Sequence, residues 1–92
     1  MYILISYDIV SNKKRRKVDK LLCEYGFRVN YSVFELEVDK NSYNKLLTKL
    51  PELMGKRDSI RIYHHTKKTV QNSLELNPKL PSPFSKEEAY VL

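Results

Sequence analysis

Asp8 is the residue in this sequence best placed to do chemistry. It closes the apolar run Tyr2-Ile3-Leu4-Ile5-Ser6-Tyr7 and stands a few residues ahead of the densest positive cluster, Lys13-Lys14-Arg15-Arg16-Lys17. A carboxylate is a hard oxygen ligand of the kind Mg²⁺ takes while keeping several of its waters. The neighbouring cations suit phosphate. With Lys20 and against the lone Asp19, residues 11 to 20 carry five of the six net positive charges of the chain. Cations in the first turn of a helix oppose its macrodipole, a placement that costs stability unless an anion sits there. A bound phosphate would meet both free backbone N–H groups and basic side chains. The structural alternatives are an Asp8 that merely caps a turn and a basic run that is only a solvated face.

The elements that must position these groups follow from periodicity. Tyr2 to Ile9 is nearly continuous β-branched, aromatic and apolar sequence, as in a central strand covered on both faces. Parity puts Asp8 with Leu4 and Ser6, opposite Ile3, Ile5 and Tyr7. A first helix begins at Ser11 or Asn12, carries Val18, Leu21, Leu22 and Tyr25 on one stripe, and stops at Gly26. Arg28 to Val38 is strand-like with a phase change, Val29, Tyr31 and Val33 being followed by Phe34, Leu36 and Val38, so a bulge or reversal is expected near 32 to 34. A second helix starts at the Asn41-Ser42 cap, carries Tyr43, Leu46, Leu47 and Leu50 at helical spacing, and ends or kinks at Pro51. Ser59 to His65 alternates as a half-buried strand, which completes a βαββαβ order. Val70, Leu74 and Leu76 predict a further edge strand. Pro78, Pro81 and Pro83 then exclude regular structure up to Phe84, leaving a docking tail. The expected division is a domain at 1–68 followed by the edge strand and Pro-rich tail at 69–92.

If both helices cover the Ile3/Ile5 face, the Leu4/Ser6/Asp8 face needs another cover, and a two-fold partner is the economical one. Two Asp8 carboxylates would then lie close together and share a proton or bind a cation. Arg28, Arg61, Lys67 and Lys68 could extend the basic surface or simply be solvated. Tyr7, Tyr31 and Phe34 are expected in the core or an interface rather than as platforms for bases. His64 and His65 are expected to be structural.

Composition narrows the classes. With 92 residues, a formal net charge of +6 and 41% hydrophobic residues, the chain is one small globular domain whose positive balance favours a polyanionic partner, although such a charge also serves solubility alone. Two glycines cannot build a P-loop or a dinucleotide fingerprint, and no Cys/His set has zinc spacing. The lone Cys23 cannot form an internal disulfide, is expected to be a small buried residue, and points to a reducing compartment. No apolar run reaches the length of a membrane span, and the first residues lack the features of a signal peptide, so a cytoplasmic protein is expected.

Tyr7-Asp8-Ile9 at the strand end, Arg15-Arg16-Lys17-Val18 in the helix and Tyr25-Gly26-Phe27-Arg28-Val29-Asn30-Tyr31-Ser32-Val33-Phe34-Glu35 together resemble the small CRISPR-associated endoribonuclease family, from Met1 to about residue 66. The resemblance implies an α+β, ferredoxin-like homodimer with paired Asp8 residues around one Mg²⁺, or Mn²⁺, at the interface. It implies partnership with the CRISPR integrase in spacer acquisition, and hydrolysis of phosphodiester bonds in RNA or DNA. Asp8 matches the family's metal-binding aspartate, and Tyr7 is its neighbour. Arg15, Arg16 and Arg28 match positions that tend to be basic, and Phe34 lies in the family's Ser-Val-Phe segment. Two other functions fit the same residues: a non-catalytic DNA-holding scaffold for the integrase, and a small ribonuclease toxin on the same fold.

Overall fold

In a computed structural model, which describes residues 1–74 and 76, alternation along Tyr2–Asp8 produces strand β1, with Ile3, Ile5 and Tyr7 buried and Asp8 exposed. Helix α1 spans Asn12–Cys23. Its N-cap is Ser11, whose hydroxyl accepts from the Lys14 amide at 3.3 Å, and it buries Val18 and Leu22. Strands β2 (Gly26–Asn30) and β3 (Val33–Glu37) form a hairpin turned by Tyr31 and Ser32. The expected phase change has two causes here. The chain reverses at 31–32, with Ser32 at φ 57°, and the β2–β3 register shifts between Arg28 and Asn30.

Helix α2 covers Lys40–Glu52 and is capped by Asp39, which accepts from the Ser42 amide at 2.7 Å, rather than by Asn41 or Ser42. Pro51 lies in its last turn, and the helix closes at the Leu53 cap. Strand β4 (Ser59–His65) follows. The edge strand expected through Val70 is not formed there. Thr66 accepts from the Thr69 amide at 3.1 Å and caps a short helix α3, Lys67–Gln71, that buries Val70. Among the described residues beyond α3, Leu76 alone makes a strand-like bridge, and the expected boundary at residue 68 falls inside α3. The Pro78-Pro81-Pro83 tail lies outside the described residues.

The four strands form one antiparallel sheet in the order β2-β3-β1-β4, so β1 is central between β3 and β4. With α1 and α2 crossing over, this is the split βαβ arrangement of the ferredoxin-like fold. Val18 and Leu22 of α1 and Leu46 and Leu50 of α2 pack with Ile3, Ile5, Tyr7, Phe34 and Leu36 in one core. Gly26 is required by packing and not by helix termination. Its φ is not left-handed, and a Cβ there would stand 2.5 Å from the Glu35 carbonyl oxygen and 2.6 Å from Leu36 Cγ. Cys23 is exposed rather than buried. No helix among the described residues is long and apolar enough to cross a membrane.

Candidate functional site

The end of β1 is held on both sides. Asp8 pairs with Ser59 of β4, while the Tyr7 amide donates to the Ser32 carbonyl at 3.0 Å, tying the hairpin turn to the same edge. The Asp8 side chain is exposed and, among the described residues, makes no hydrogen bond or ion pair. Between it and α1 lies a three-residue loop, anchored by the buried Ile9.

Two charged side chains clamp that loop. Arg15 donates from Nε and Nη2 to the Ile9 carbonyl at 3.2 and 3.1 Å, and from Nη2 to the Val10 carbonyl at 3.4 Å. Asp58, just ahead of β4, accepts from the Val10 amide at 2.9 Å and from the Gly55 amide at 2.6 Å. These two backbone donors hold the Asp58 carboxyl below its ordinary value of 3.8 against the opposing effect of desolvation, with the Lys14 charge adding a lesser push downward. A group with a depressed folded pKa stabilises the fold above its unfolded value and loses that contribution as pH falls through the folded value. The Asp58 half of the clamp is therefore fully present at neutral pH and is lost only as the pH falls below the ordinary carboxylate range, while the Arg15 half persists. Asp58→Ala is expected to speed hydrogen exchange at the Val10 and Gly55 amides while leaving the Ile5 amide in the sheet unchanged, as followed by NMR.

Tyr7, Arg28 and Phe34 are brought together, but on the helix side of the sheet and not beside the Asp8 carboxylate. The Tyr7 hydroxyl donates to Asp19 Oδ1, and Arg28 Nη2 meets Asp19 Oδ2 at 2.5 Å. The Arg28 guanidinium lies 5.5 Å from the Phe34 ring centroid, and the Tyr7 and Phe34 rings stack at 6.3 Å. Arg28 is thus engaged in an ion pair and a cation–π contact, and Arg15 in hydrogen bonds to main-chain carbonyls. Lys13, Lys14, Arg16 and Lys17 are exposed and, among the described residues, form no ion pair. Tyr31, expected in the core or an interface, is 88% exposed.

His64 and His65 stand at the opposite end of the sheet, since His65 pairs with Tyr2 while Asp8 pairs with Ser59. His64 Nε2 lies 3.1 Å from the Tyr43 hydroxyl, and His65 Nδ1 lies 3.4 Å from the Thr69 hydroxyl. Neither can serve as a proton donor at Asp8. No group of three or more His, Cys, Asp or Glu side chains among the described residues could hold a metal. A lone exposed carboxylate fits Mg²⁺ only in part, because the ion is commonly held by one or two carboxylates and water.

Two residues of the site were not singled out from sequence. Asp19 carried a signal: it is the one acid among six cations, next to Val18 and three residues before Leu22, hence at the edge of the buried stripe. Asp58 carried none, because its partner at Val10 is 48 residues away.

A family model described as CRISPR associated protein Cas2 matches residues 1–73. A "CRISPR-associated endoribonuclease Cas2 1" from Chloroflexus aurantiacus is 35% identical over 100% of both chains. A second protein of that organism, "CRISPR-associated endoribonuclease Cas2 3", is 39% identical over 80% of this chain and 81% of its own. The Streptococcus pyogenes Cas2 crystal structure superposes with a TM-score of 0.73 at 31% identity, over 82% of this chain and 98% of that one. A chain of a partial Cas6-RT-Cas1–Cas2 complex superposes with a TM-score of 0.72 at 30% identity, over 88% and 94%. Sequence, topology and the extent of the match with these relatives agree, and the chain belongs to the CRISPR-associated Cas2 family.

Proposed function

We propose that this chain acts as a homodimer in CRISPR spacer acquisition, binding nucleic acid alongside the integrase and hydrolysing phosphodiester bonds with a divalent metal. The observation that carries this reading is the exposed Asp8 at the end of the central strand, followed by a loop that Arg15 and Asp58 clamp and by the exposed Lys13, Lys14, Arg16 and Lys17. The relatives named endoribonuclease and the Cas1–Cas2 assembly support it.

Charge is segregated in a way that suits two different partners. Helix α1 carries Lys13, Lys14, Arg16, Lys17 and Lys20 toward solvent, and α2 carries Lys40, Lys45 and Lys49. The opposite sheet face presents Leu4, Val33, Phe27 and Tyr63 with Ser6, Glu35 and Arg61. Phe27 and Tyr63 are 45% and 49% exposed, apolar surface that a second copy of the chain would bury. Such packing would bring the two Asp8 residues toward each other, supplying the second carboxylate that one chain lacks. Asp8 from each chain would hold Mg²⁺ or Mn²⁺, Lys13 and Lys17 would take the flanking phosphates, and Asp58 would keep the loop in register. The metal, when bound, would supply an activated water and neutralise charge developing on the phosphate.

A non-catalytic, DNA-holding role is the second reading. It is favoured by the histidines lying at the far end of the sheet, which leaves Asp8 without a nearby general base. Light scattering is expected to give a dimer, and purified protein is expected to cleave labelled RNA or duplex DNA with Mg²⁺ or Mn²⁺ and not with EDTA. Folded, binding-competent dimers that cleave neither substrate would leave only the scaffold role. Lys13→Glu with Lys17→Glu should lower the slope of log affinity against log salt by about two.

A further inference from the structure

Tyr31 is the most exposed large hydrophobic side chain among the described residues, at 88%, and it is held there. The turn that presents it is tight and costly. Ser32 sits in the left-handed region at φ 57°, which glycine or asparagine occupies more readily than serine. The Tyr31 amide donates to its neighbour's side chain, Asn30 Oδ1, at 2.8 Å, and the Tyr7 amide donates to the Ser32 carbonyl at 3.0 Å. The second bond matters for position. β1 and β3 pair as Ile5 with Phe34 and Ser6 with Val33, so the Tyr7–Ser32 rung continues that register and fixes the hairpin turn at the end of the sheet where β1 finishes with Asp8. Unfavourable backbone geometry that persists next to a candidate site is a reason to ask what the geometry presents.

The hairpin thus displays an aromatic ring, not a charge, at the same end of the sheet as an exposed carboxylate and a cluster of exposed cations. Phosphates would be met by the lysines. What a solvent-exposed phenol ring adds is a flat apolar surface, and every nucleobase offers a complementary π face once it is unpaired. A base inside a duplex has both faces occupied by its stacked neighbours, so such a ring selects unpaired nucleotides.

We propose that Tyr31 is a stacking platform for an unpaired nucleobase next to the Asp8 site, which directs the protein toward single-stranded or frayed nucleic acid. The proposal rests on the nucleic-acid reading above and specifies the substrate class for that site.

The chain contains no tryptophan, so Tyr31→Trp introduces a sole indole reporter at the tip. In EDTA, which prevents turnover, a single-stranded RNA oligonucleotide should quench that indole saturably, and the matching duplex should quench it far less. Anisotropy of labelled RNA gives total binding in parallel. Tyr31→Ala should weaken single-strand binding about tenfold, the order of one base–aromatic stack, with duplex binding nearly unchanged. Tyr31→Phe should keep wild-type affinity, because the ring and not the hydroxyl does the stacking. RNA that binds by anisotropy without quenching the indole, or equal losses for single strand and duplex in Tyr31→Ala, would overturn the proposal. So would an indole signal that tracks protein dilution without RNA, or a Tyr31→Ala monomer, either of which would assign the ring to a subunit interface. No binding of any oligonucleotide by the wild type would instead overturn the nucleic-acid reading beneath it.

Discussion

Asp8→Ala is expected to lower metal-dependent phosphodiester cleavage by at least about a hundredfold, because metal activation of water and neutralisation of the phosphate are together worth several kcal/mol. The same change should scarcely alter folding. Asp8 ends its strand exposed and, among the described residues, without a hydrogen bond or ion pair, and exposed substitutions of that kind fall within about 0.5 kcal/mol. The two effects are thus separable, with activity measured against a thermal melt of the same preparation. Asp8→Asn adds a sharper test of the paired site. It keeps the shape and removes the charge, so in EDTA it should tighten the dimer by relieving repulsion between the two carboxylates, whereas in Mg²⁺ it should lose the wild type's metal-dependent gain in dimer stability. Cleavage equal in wild type and Asp8→Ala would remove Asp8 from the chemistry. Dimer stability unaffected by charge in both conditions would mean that the two Asp8 residues do not meet.

Asp19→Ala is expected to be the most destabilising single change near the site, at about 2–3 kcal/mol. Asp19 is the only partner of Arg28 in an ion pair among the described residues, and it also accepts from the Tyr7 hydroxyl. The side chains are 23% and 40% exposed, so the loss is smaller than for a fully buried pair, yet it leaves the Tyr7 hydroxyl and the Arg28 charge without their acceptor. Arg28 Nε is already buried with no hydrogen-bond partner, so the guanidinium has little capacity to re-pair in place. For a domain of this size the melting temperature should fall by roughly 10–20 °C. Adding Arg28→Met to Asp19→Ala should recover part of the loss, because the stranded cation is then gone, and a double-mutant cycle would read the coupling directly. Arg28→Ala alone should likewise lower stability. A stable Arg28→Ala protein with weakened nucleic-acid binding would return Arg28 to the phosphate surface and refute its structural assignment.

Legibility of the site followed the range of the interactions. Helix stripes and strand alternation repeat every few residues, so α1, α2, β1 and β4 were readable within a residue or two, as was the phase change that became the β2–β3 reversal and bulge. Short-range signals competed where the reading failed. Asp39 took the α2 cap in place of Asn41-Ser42, and Thr66 started a helix through Val70, whose β-branched side chain had pointed to a strand. Gly26 looked like a helix stop, but the need for glycine comes from β3 lying against its Cα.

The sequence alone determined the βαββαβ order, the concentration of positive charge at the start of α1 and the position of Asp8 immediately before it, since each is written within a few consecutive residues. Tertiary structure decided which of those charges are free. Arg15 turns back onto the Ile9 and Val10 carbonyls, Arg28 is absorbed by Asp19, Asp58 reaches across to Val10, and Tyr31 is left in solvent at the Asp8 end of the sheet. A guanidinium or a carboxylate has the same charge in sequence whether it meets a phosphate or a distant backbone group. Only the packing of residues far apart in the chain fixes which partner is within hydrogen-bonding reach.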